Sequence, residues 1–137
     1  MSYLKRFARV AISERKKYEI PSSVILGSAL LHSTAGTRNM AVTGNNHFGL
    51  RCGDQWSGQS GLYQGQCFRH YENAWASFRD HSELIANRYD DLMQLGTDDY
   101  KAWAEGLAQA GYSTEPGFAR RLIDLIDRYQ LHELDQK

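Results

Sequence analysis

The sequence predicts a mainly α (α+β) domain in which a small β lobe interrupts a helical body. Apolar residues recur at helical spacing over most of the chain, and only 2 prolines occur in 137 residues. The glycines cluster between Gly44 and Gly65, where the period changes to short alternating runs. This length suits one domain that buries a core of its own, so residues 1–137 are read as a single domain with a lobe at about 46–72.

Each element has its own local cause. Tyr3, Phe7, Val10 and Ala11, interleaved with Lys5, Arg6, Arg9 and Glu14, predict an amphipathic helix. Pro21 marks the next start, and Ser22–His32 is apolar enough to be a buried helix that Gly36 ends. A short helical turn is expected over Thr37–Val42, followed by a turn at Gly44-Asn45-Asn46. Phe48–Cys52 and Gln66–Tyr71 read as strands, with Gly61–Gln66 as an uncharged turn between them. A lobe this small does not fold alone and must lean on the helices.

Helical spacing resumes at Asn73 through Trp75, Phe78, Leu84 and Ile85, and continues through Tyr89 to Leu95 after a break. Thr97 or Asp98 caps a helix carrying Tyr100, Trp103 and Leu107, closed by Gly111 as its left-handed C′ residue. Thr114-Glu115-Pro116 opens the last helix, whose apolar side runs from Phe118 to Tyr129. Trp75, Phe78, Trp103, Phe118 and Tyr129 are all expected in the core, and Asp80-His81 is read as structural.

Charge excludes several classes of function. With 16 Lys+Arg against 16 Asp+Glu, the chain lacks the basic footprint of a nucleic-acid binder or a polybasic membrane-surface protein. No apolar run approaches the roughly 20 residues of a membrane span, so no membrane insertion is expected. Met1–Val10 lacks the apolar core of a signal peptide, which leaves another export route or excision from a longer precursor. Neither GxxxxGK[ST] nor GxGxxG occurs, and no cofactor or metal is expected.

Two cysteines, Cys52 and Cys67, allow one disulfide. It would close a loop of about 15 residues, worth about 3 kcal/mol in the chain-entropy model, and would imply an oxidising compartment. Free thiols are an alternative. A metal site drawing on His47 and His70 is another, although no CxxC or HxxxH spacing supports it.

Five separated segments carry a resemblance: Ile25–Val42 (ILGSALLHSTAGTRNMAV), Gly44–Cys52 (GNNHFGLRC), Trp56-Ser-Gly, Cys67–His81 (CFRHYENAWASFRDH) and Tyr100–Tyr129. In this order and spacing they resemble the glucosaminidase family of peptidoglycan hydrolases, glycoside hydrolase family 73, with most likeness to short Bacteroidetes-type members. The resemblance covers roughly residues 5 to 135. It implies a lysozyme-like fold and a substrate of peptidoglycan glycan strands or another N-acetylhexosamine polymer. It also implies a periplasmic, cell-envelope or exported location, with envelope or secretion-assembly proteins as partners.

The sequence departs from the family at its chemical centre. The pattern implies a general-acid Glu in Leu-Glu-Ser-x-x-Gly, thirteen residues before the Asn-Asn pair; here that position is His32. Glycoside hydrolysis needs a proton delivered to the leaving oxygen, usually from a carboxylic acid whose pKa is raised in an apolar setting. Burial favours a neutral carboxylic acid but disfavours a charged imidazolium, so the pocket that suits Glu strips His of its proton. The β lobe also lacks carboxylates: from Gln55 to Tyr71 there is no Asp or Glu. Asp54, Glu72 and Glu115 are the nearest acids, the first two read as strand-end residues and Glu115 as a partner for the last helix dipole.

Other candidates have two readings each. The resemblance gives Asn45 and Asn46 to sugar N-acetyl groups, with His47 beside them, whereas Gly-Asn-Asn alone is a turn signal. Phe48 and Gly49 are cleft floor by resemblance, or core. Tyr112 is the family's cleft tyrosine, or a core ring at a helix end. Trp56 and Tyr63 stack on sugar, or pack the lobe. The expectation is a catalytically degenerate glucosaminidase domain acting in glycan binding or as a structural part of an envelope assembly. An active endo-β-N-acetylglucosaminidase and a protein-interaction module without sugar binding are the alternatives, the last distinguished by whether Tyr63 and Trp56 fill the groove.

Overall fold

The computed structural model describes all residues 1–137. Its elements in chain order are α1 (Ser2–Tyr18), α2 (Ser22–Ser33), α3 (Asn39–Val42), β1 (Ser60–Tyr63), β2 (Gln66–Arg69), α4 (Ala74–Arg88), a 3₁₀ segment Asp90–Leu95, α5 (Tyr100–Gln109), α6 (Phe118–Tyr129) and a terminal 3₁₀ segment Leu131–Gln136. The expected mainly α architecture with a small lobe is the one observed. No helix is long and apolar enough to cross a membrane.

The core forms around α2, which is apolar on every side because it is surrounded. Val24, Ile25, Leu26 and Ala29 are fully buried, packed with Phe7 and Val10 of α1, Trp103 and Leu107 of α5, and Leu122 and Ile126 of α6. Gly27 permits the approach of α6: a Cβ there would lie 2.8 Å from Leu122 Cδ1 and 3.3 Å from Ile126 Cγ1. The N-terminus of α2 has no local side-chain cap. Asp135, from the terminal 3₁₀ segment, supplies one instead, accepting from the Ser23 N–H at 2.8 Å and the Ser23 hydroxyl at 2.6 Å. Arg15 donates to the Asp135 carbonyl and fixes the same segment to α1. A second long-range tie joins α1 to α4, where Arg79 donates to the buried Glu14 carboxylate through Nε and Nη2 at 3.0–3.2 Å.

The lobe differs from its predicted form. Phe48–Cys52 is not a strand; it meets β2 only through the Arg51–Phe68 bridge and bonds such as Cys52 N–H to Cys67 O, 3.1 Å. Gly49, its second residue, and Gly53, just after it, take φ 66° and 65°, conformations that interrupt an extended run. The first strand instead comes from residues read as a turn. Gln64 and Gly65, both at positive φ, form a two-residue hairpin connection that pairs Tyr63 with Gln66 and Ser60 with Arg69. Cys52 and Cys67 are joined as the expected disulfide, which anchors the Phe48–Cys52 segment to β2.

Several helix ends also move. Thr34, rather than Gly36, is the left-handed residue that ends α2. Asp99, rather than Thr97 or Asp98, caps α5 by accepting from the Ala102 N–H at 3.1 Å. The last helix starts at Phe118, because Gly117 at φ 67° separates it from Thr114-Glu115-Pro116. Trp75 is not core: it is 52% exposed, its ring edge-on to Phe7 at 5.9 Å.

Candidate functional site

A cleft of about 450 Å³ lies between the helical body and the lobe, and His32, Phe48, Gly49 and Tyr112 all line it. Each arrives on a different element: His32 on the last turn of α2, Phe48 and Gly49 on the segment stapled to β2, and Tyr112 just past Gly111 at the end of α5. Gly111, at φ 80°, turns the chain so that Tyr112 folds back toward α2, its N–H bonded to Leu107 O at 3.0 Å.

Both ring nitrogens of His32 are engaged. Nδ1 lies 3.0 Å from the Ser28 carbonyl and 3.2 Å from the Ser28 hydroxyl; the nearer carbonyl can only accept, which assigns the proton to Nδ1 and leaves the hydroxyl oxygen as a second acceptor. Nε2 is then left as an acceptor, 3.2 Å from the Ser113 hydroxyl. The ring stacks on Phe118 at 5.6 Å and meets Tyr112 edge-on at 5.8 Å. Desolvation is the largest influence and pushes its pKa below the usual 6.5, against smaller opposing effects of the Ser28 bond and Glu115. At neutral pH this imidazole is uncharged.

Behind His32 runs a buried polar chain. Tyr112 Oη lies 2.6 Å from Ser28 Oγ and 2.6 Å from His81 Nε2. His81 is fully buried and stacked on Phe48 at 3.8 Å. Burial lowers its pKa to about 3 and raises that of Tyr112. With His32 Nδ1 protonated, the chain closes when Ser28 Oγ donates to Tyr112 Oη and Tyr112 donates to His81 Nε2, which leaves His81 Nδ1 without a partner.

Asn45, Asn46 and His47 do not line this cleft. Asn45 sits at φ 56° and donates to Tyr71 O at 2.9 Å, the turn role its sequence allows. Asn46 is fully buried; its amide donates to Leu50 O and Arg69 O, both at 2.9 Å, and accepts from the Leu50 N–H. Its whole carboxamide is thus engaged in holding the lobe to the body. The same holds for His47, buried against Tyr3 Oη at 2.7 Å, where burial lowers its pKa to about 4.

Trp56 and Tyr63 do not fill the cleft. Trp56 donates to Gln59 O at 2.8 Å and lies under the Arg69 guanidinium at 4.8 Å. Tyr63 bonds to His70 Nε2 at 2.8 Å and lines an adjoining groove of about 810 Å³. With the cysteines oxidised and His47 and His70 each bonded to a tyrosine, the four residues of the alternative metal site do not converge.

Sequence reasoning missed part of the site. Ser28 lies four residues before His32, a helical spacing from which it could have been found. Ser113 carried no signal of its own. Glu115 was assigned to the first turn of the last helix but precedes it by three residues, and it is the only carboxylate lining the cleft. It pairs with Arg121 and, at 3.8 Å, with Arg38. Asp54 and Glu72 lie outside the lining.

A helical body with a buried central helix, closed on one side by a disulfide-anchored lobe across a cleft of about 450 Å³, defines a lysozyme-like domain. Residues 8–131 match the family model described as "Mannosyl-glycoprotein endo-beta-N-acetylglucosaminidase", and the chain belongs to that glucosaminidase family. It is 25% identical to the exo-glucosaminidase LytG of Bacillus subtilis over 88% of this chain and 48% of LytG. The chain thus spans about half the length of that relative. Among solved structures it resembles an N-acetylmuramoyl-L-alanine amidase from Staphylococcus aureus, with a TM-score of 0.85 and 25% identity over 99% of this chain and 43% of that one. It shares its fold with the catalytic domain of the autolysin Auto from Listeria monocytogenes, with a TM-score of 0.81 and 21% identity over 97% of this chain and 85% of that one.

Proposed function

We propose that this domain binds the glycan strands of peptidoglycan in the cell envelope, or on export to it, and has lost efficient hydrolysis. One observation carries the reading. At the position of the family's general acid stands a neutral imidazole with its only proton directed to the Ser28 carbonyl and its free lone pair directed to Ser113. Such a ring has no proton to give to a leaving oxygen.

The electrostatics of the cleft support the same conclusion. Glycoside hydrolysis passes through an oxocarbenium-like, positively charged transition state. Four arginines line the cleft against the single carboxylate of Glu115, which is already paired with guanidinium groups. That field opposes the developing cation. The cleft itself is open, and of the aromatic rings in its lining Tyr112 is partly exposed to it while Phe48 and Phe68 are buried behind its wall. An open cleft favours glycan binding over a pure protein-interaction module. Docking within an envelope or secretion assembly is compatible with this role.

The presence of Glu115 in the cleft favours a second reading, an endo-β-N-acetylglucosaminidase with a displaced acid. Release of new reducing ends from purified peptidoglycan decides between them. The chain is compared with His32→Ala, His32→Glu and Glu115→Gln over about pH 4 to 8. Silence of the unmodified chain across that range is expected. Strong cleavage abolished by Glu115→Gln would establish the second reading and end the first.

A further inference from the structure

A neutral imidazole that cannot serve as an acid can still serve as a base. His32 Nε2 presents its lone pair to the Ser113 hydroxyl, 3.2 Å away. The opposite nitrogen, Nδ1, donates to the Ser28 carbonyl at 3.0 Å. A hydroxyl, an imidazole that can take its proton, and an acceptor that holds the far side of the ring are the three parts of an activated serine. The polarity runs one way through the buried chain behind it. Ser113 donates to His32, His32 to Ser28, Ser28 Oγ to Tyr112 Oη at 2.6 Å, and Tyr112 to His81 Nε2 at 2.6 Å.

The surroundings suit the charges that attack by this serine would develop. His32 stands in the last turn of α2, where the helix C-terminus favours an imidazolium. Glu115 favours it as well, against the opposing charges of Arg38 and Arg121. Ser113 is half-buried in the cleft lining, and neither its N–H nor that of Thr114 is bonded within the chain. Two backbone donors therefore stand free beside the nucleophile. The Glu115 N–H already donates to Ser113 Oγ at 3.1 Å, a bond that strengthens as this oxygen becomes an alkoxide. The field of the four cleft arginines, which opposes an oxocarbenium ion, favours a tetrahedral oxyanion.

We propose that Ser113 and His32 form a nucleophile–base dyad that hydrolyses small carboxylic esters in this cleft. Ser113 Oγ bonds to the ester carbonyl carbon as its proton passes to His32 Nε2. The tetrahedral oxyanion collapses, the bond to the alcohol oxygen breaks, and the imidazolium gives its proton to that oxygen. Water then attacks the acyl-Ser113 carbonyl and passes a proton to His32. The bond to Ser113 Oγ breaks, that oxygen recovers the proton, and a carboxylic acid departs. Burial makes this imidazole a weaker base than usual, which suits an ester, whose alcohol leaves more readily than the amine of an amide. Ester hydrolysis releases no reducing end and needs no glycan, so it stands or falls apart from the glycan-binding reading.

The oxidised, full chain is assayed with p-nitrophenyl acetate over about pH 5 to 8, beside Ser113→Ala, His32→Ala and the double variant. Hydrolysis is expected to saturate with substrate and to rise with pH through a midpoint below 6.5, as the neutral imidazole forms. Each single substitution is expected to lower kcat/KM by about 10²-fold or more, and the double variant to lose no more than the single ones, since the two residues act as a unit. A fluorophosphonate, which traps activated serines, is expected to label the unmodified chain once, at Ser113 by peptide mapping, and to label His32→Ala far more slowly.

Labelling of the unmodified chain decides the matter even where a variant fails to fold. No label, or a label at another residue, overturns the dyad. So does ester hydrolysis that survives Ser113→Ala, which would place the activity on an imidazole alone, or hydrolysis by the unmodified chain no faster than in buffer.

Discussion

The Ser113 hydroxyl lies 3.2 Å from His32 Nε2, and Ser113 Oγ accepts from the Glu115 N–H at 3.1 Å. With one lone pair so occupied, the serine proton is free to point at the imidazole. The pair fixes His32 as an acceptor toward the cleft.

The tautomer is directly measurable. Imidazole ¹⁵N shifts at neutral pH are expected to show His32 uncharged, protonated on Nδ1, with a titration midpoint below 6.5, the direction set by burial. A proton on Nε2 would contradict the assignment from the Ser28 carbonyl.

Stability should fall as pH is lowered. The folded-state pKa values of His32, His47 and His81 are all depressed, the last two to about 4 and about 3. The unfolded chain therefore takes up protons first, near pH 6.5, while the folded chain stays neutral. Each such histidine contributes a slope of about 1.4 kcal/mol per pH unit between its unfolded and folded pKa. Denaturant unfolding measured from about pH 7 to 5, where most carboxylates are still ionised, follows this effect against the opposite contribution of Asp135, whose raised pKa favours the folded state as pH falls. His81→Phe, which keeps the stack on Phe48, is expected to reduce the slope by one histidine's share. An unchanged slope would exclude His81 as a contributor.

The two halves of the Glu14–Arg79 pair should not be equivalent. The Glu14 side chain is 4% exposed and that of Arg79 is 43% exposed. Arg79→Ala strands a buried carboxylate and is expected to cost about 1–3 kcal/mol, towards the upper end for a charged group. Glu14→Gln leaves a guanidinium that water can still reach and should cost less. Urea denaturation of the two variants ranks them, and the reverse order would show that the pair is not the main tie between α1 and α4.

Asp135 is expected to behave as a helix cap supplied from the far end of the chain. Asp135→Ala leaves the Ser23 N–H without its acceptor and should destabilise by about 1–2 kcal/mol. Burial raises the pKa of this carboxylate, so its ionised form is disfavoured there. Asp135→Asn, neutral and still able to accept, should cost less than Asp135→Ala. Equal losses would locate the effect in packing rather than in the hydrogen bonds.

Reducing the Cys52–Cys67 bridge opens a loop with a sequence separation of 15 and should cost about 3 kcal/mol. Hydrogen exchange is expected to rise first over Phe48–Arg69, where the bridge ties an irregular segment to a two-stranded hairpin. Uniform acceleration across the helices instead would mean that lobe and body unfold as one unit.

By itself the sequence determined the helical body, the place of the lobe and the family. Those follow from local periodicity and from motifs whose spacing is written along the chain: the apolar run of α2, the shift to glycine-rich alternation and the two cysteines. Where Gly49, Gly53 and Gly117 redirect the backbone, local patterns misplaced a strand and a helix start, because positive φ at one residue outweighs the propensity of its neighbours. Tertiary structure alone decided which polar groups face the cleft. Asn46 and His47 looked available in the sequence but are buried, since a buried backbone must be satisfied by some nearby side chain. The Ser113–Glu115 segment and the arginines at 38, 51, 69 and 88 that line the same cleft come from parts of the chain far apart, and no local pattern records a cluster that exists only once those parts meet.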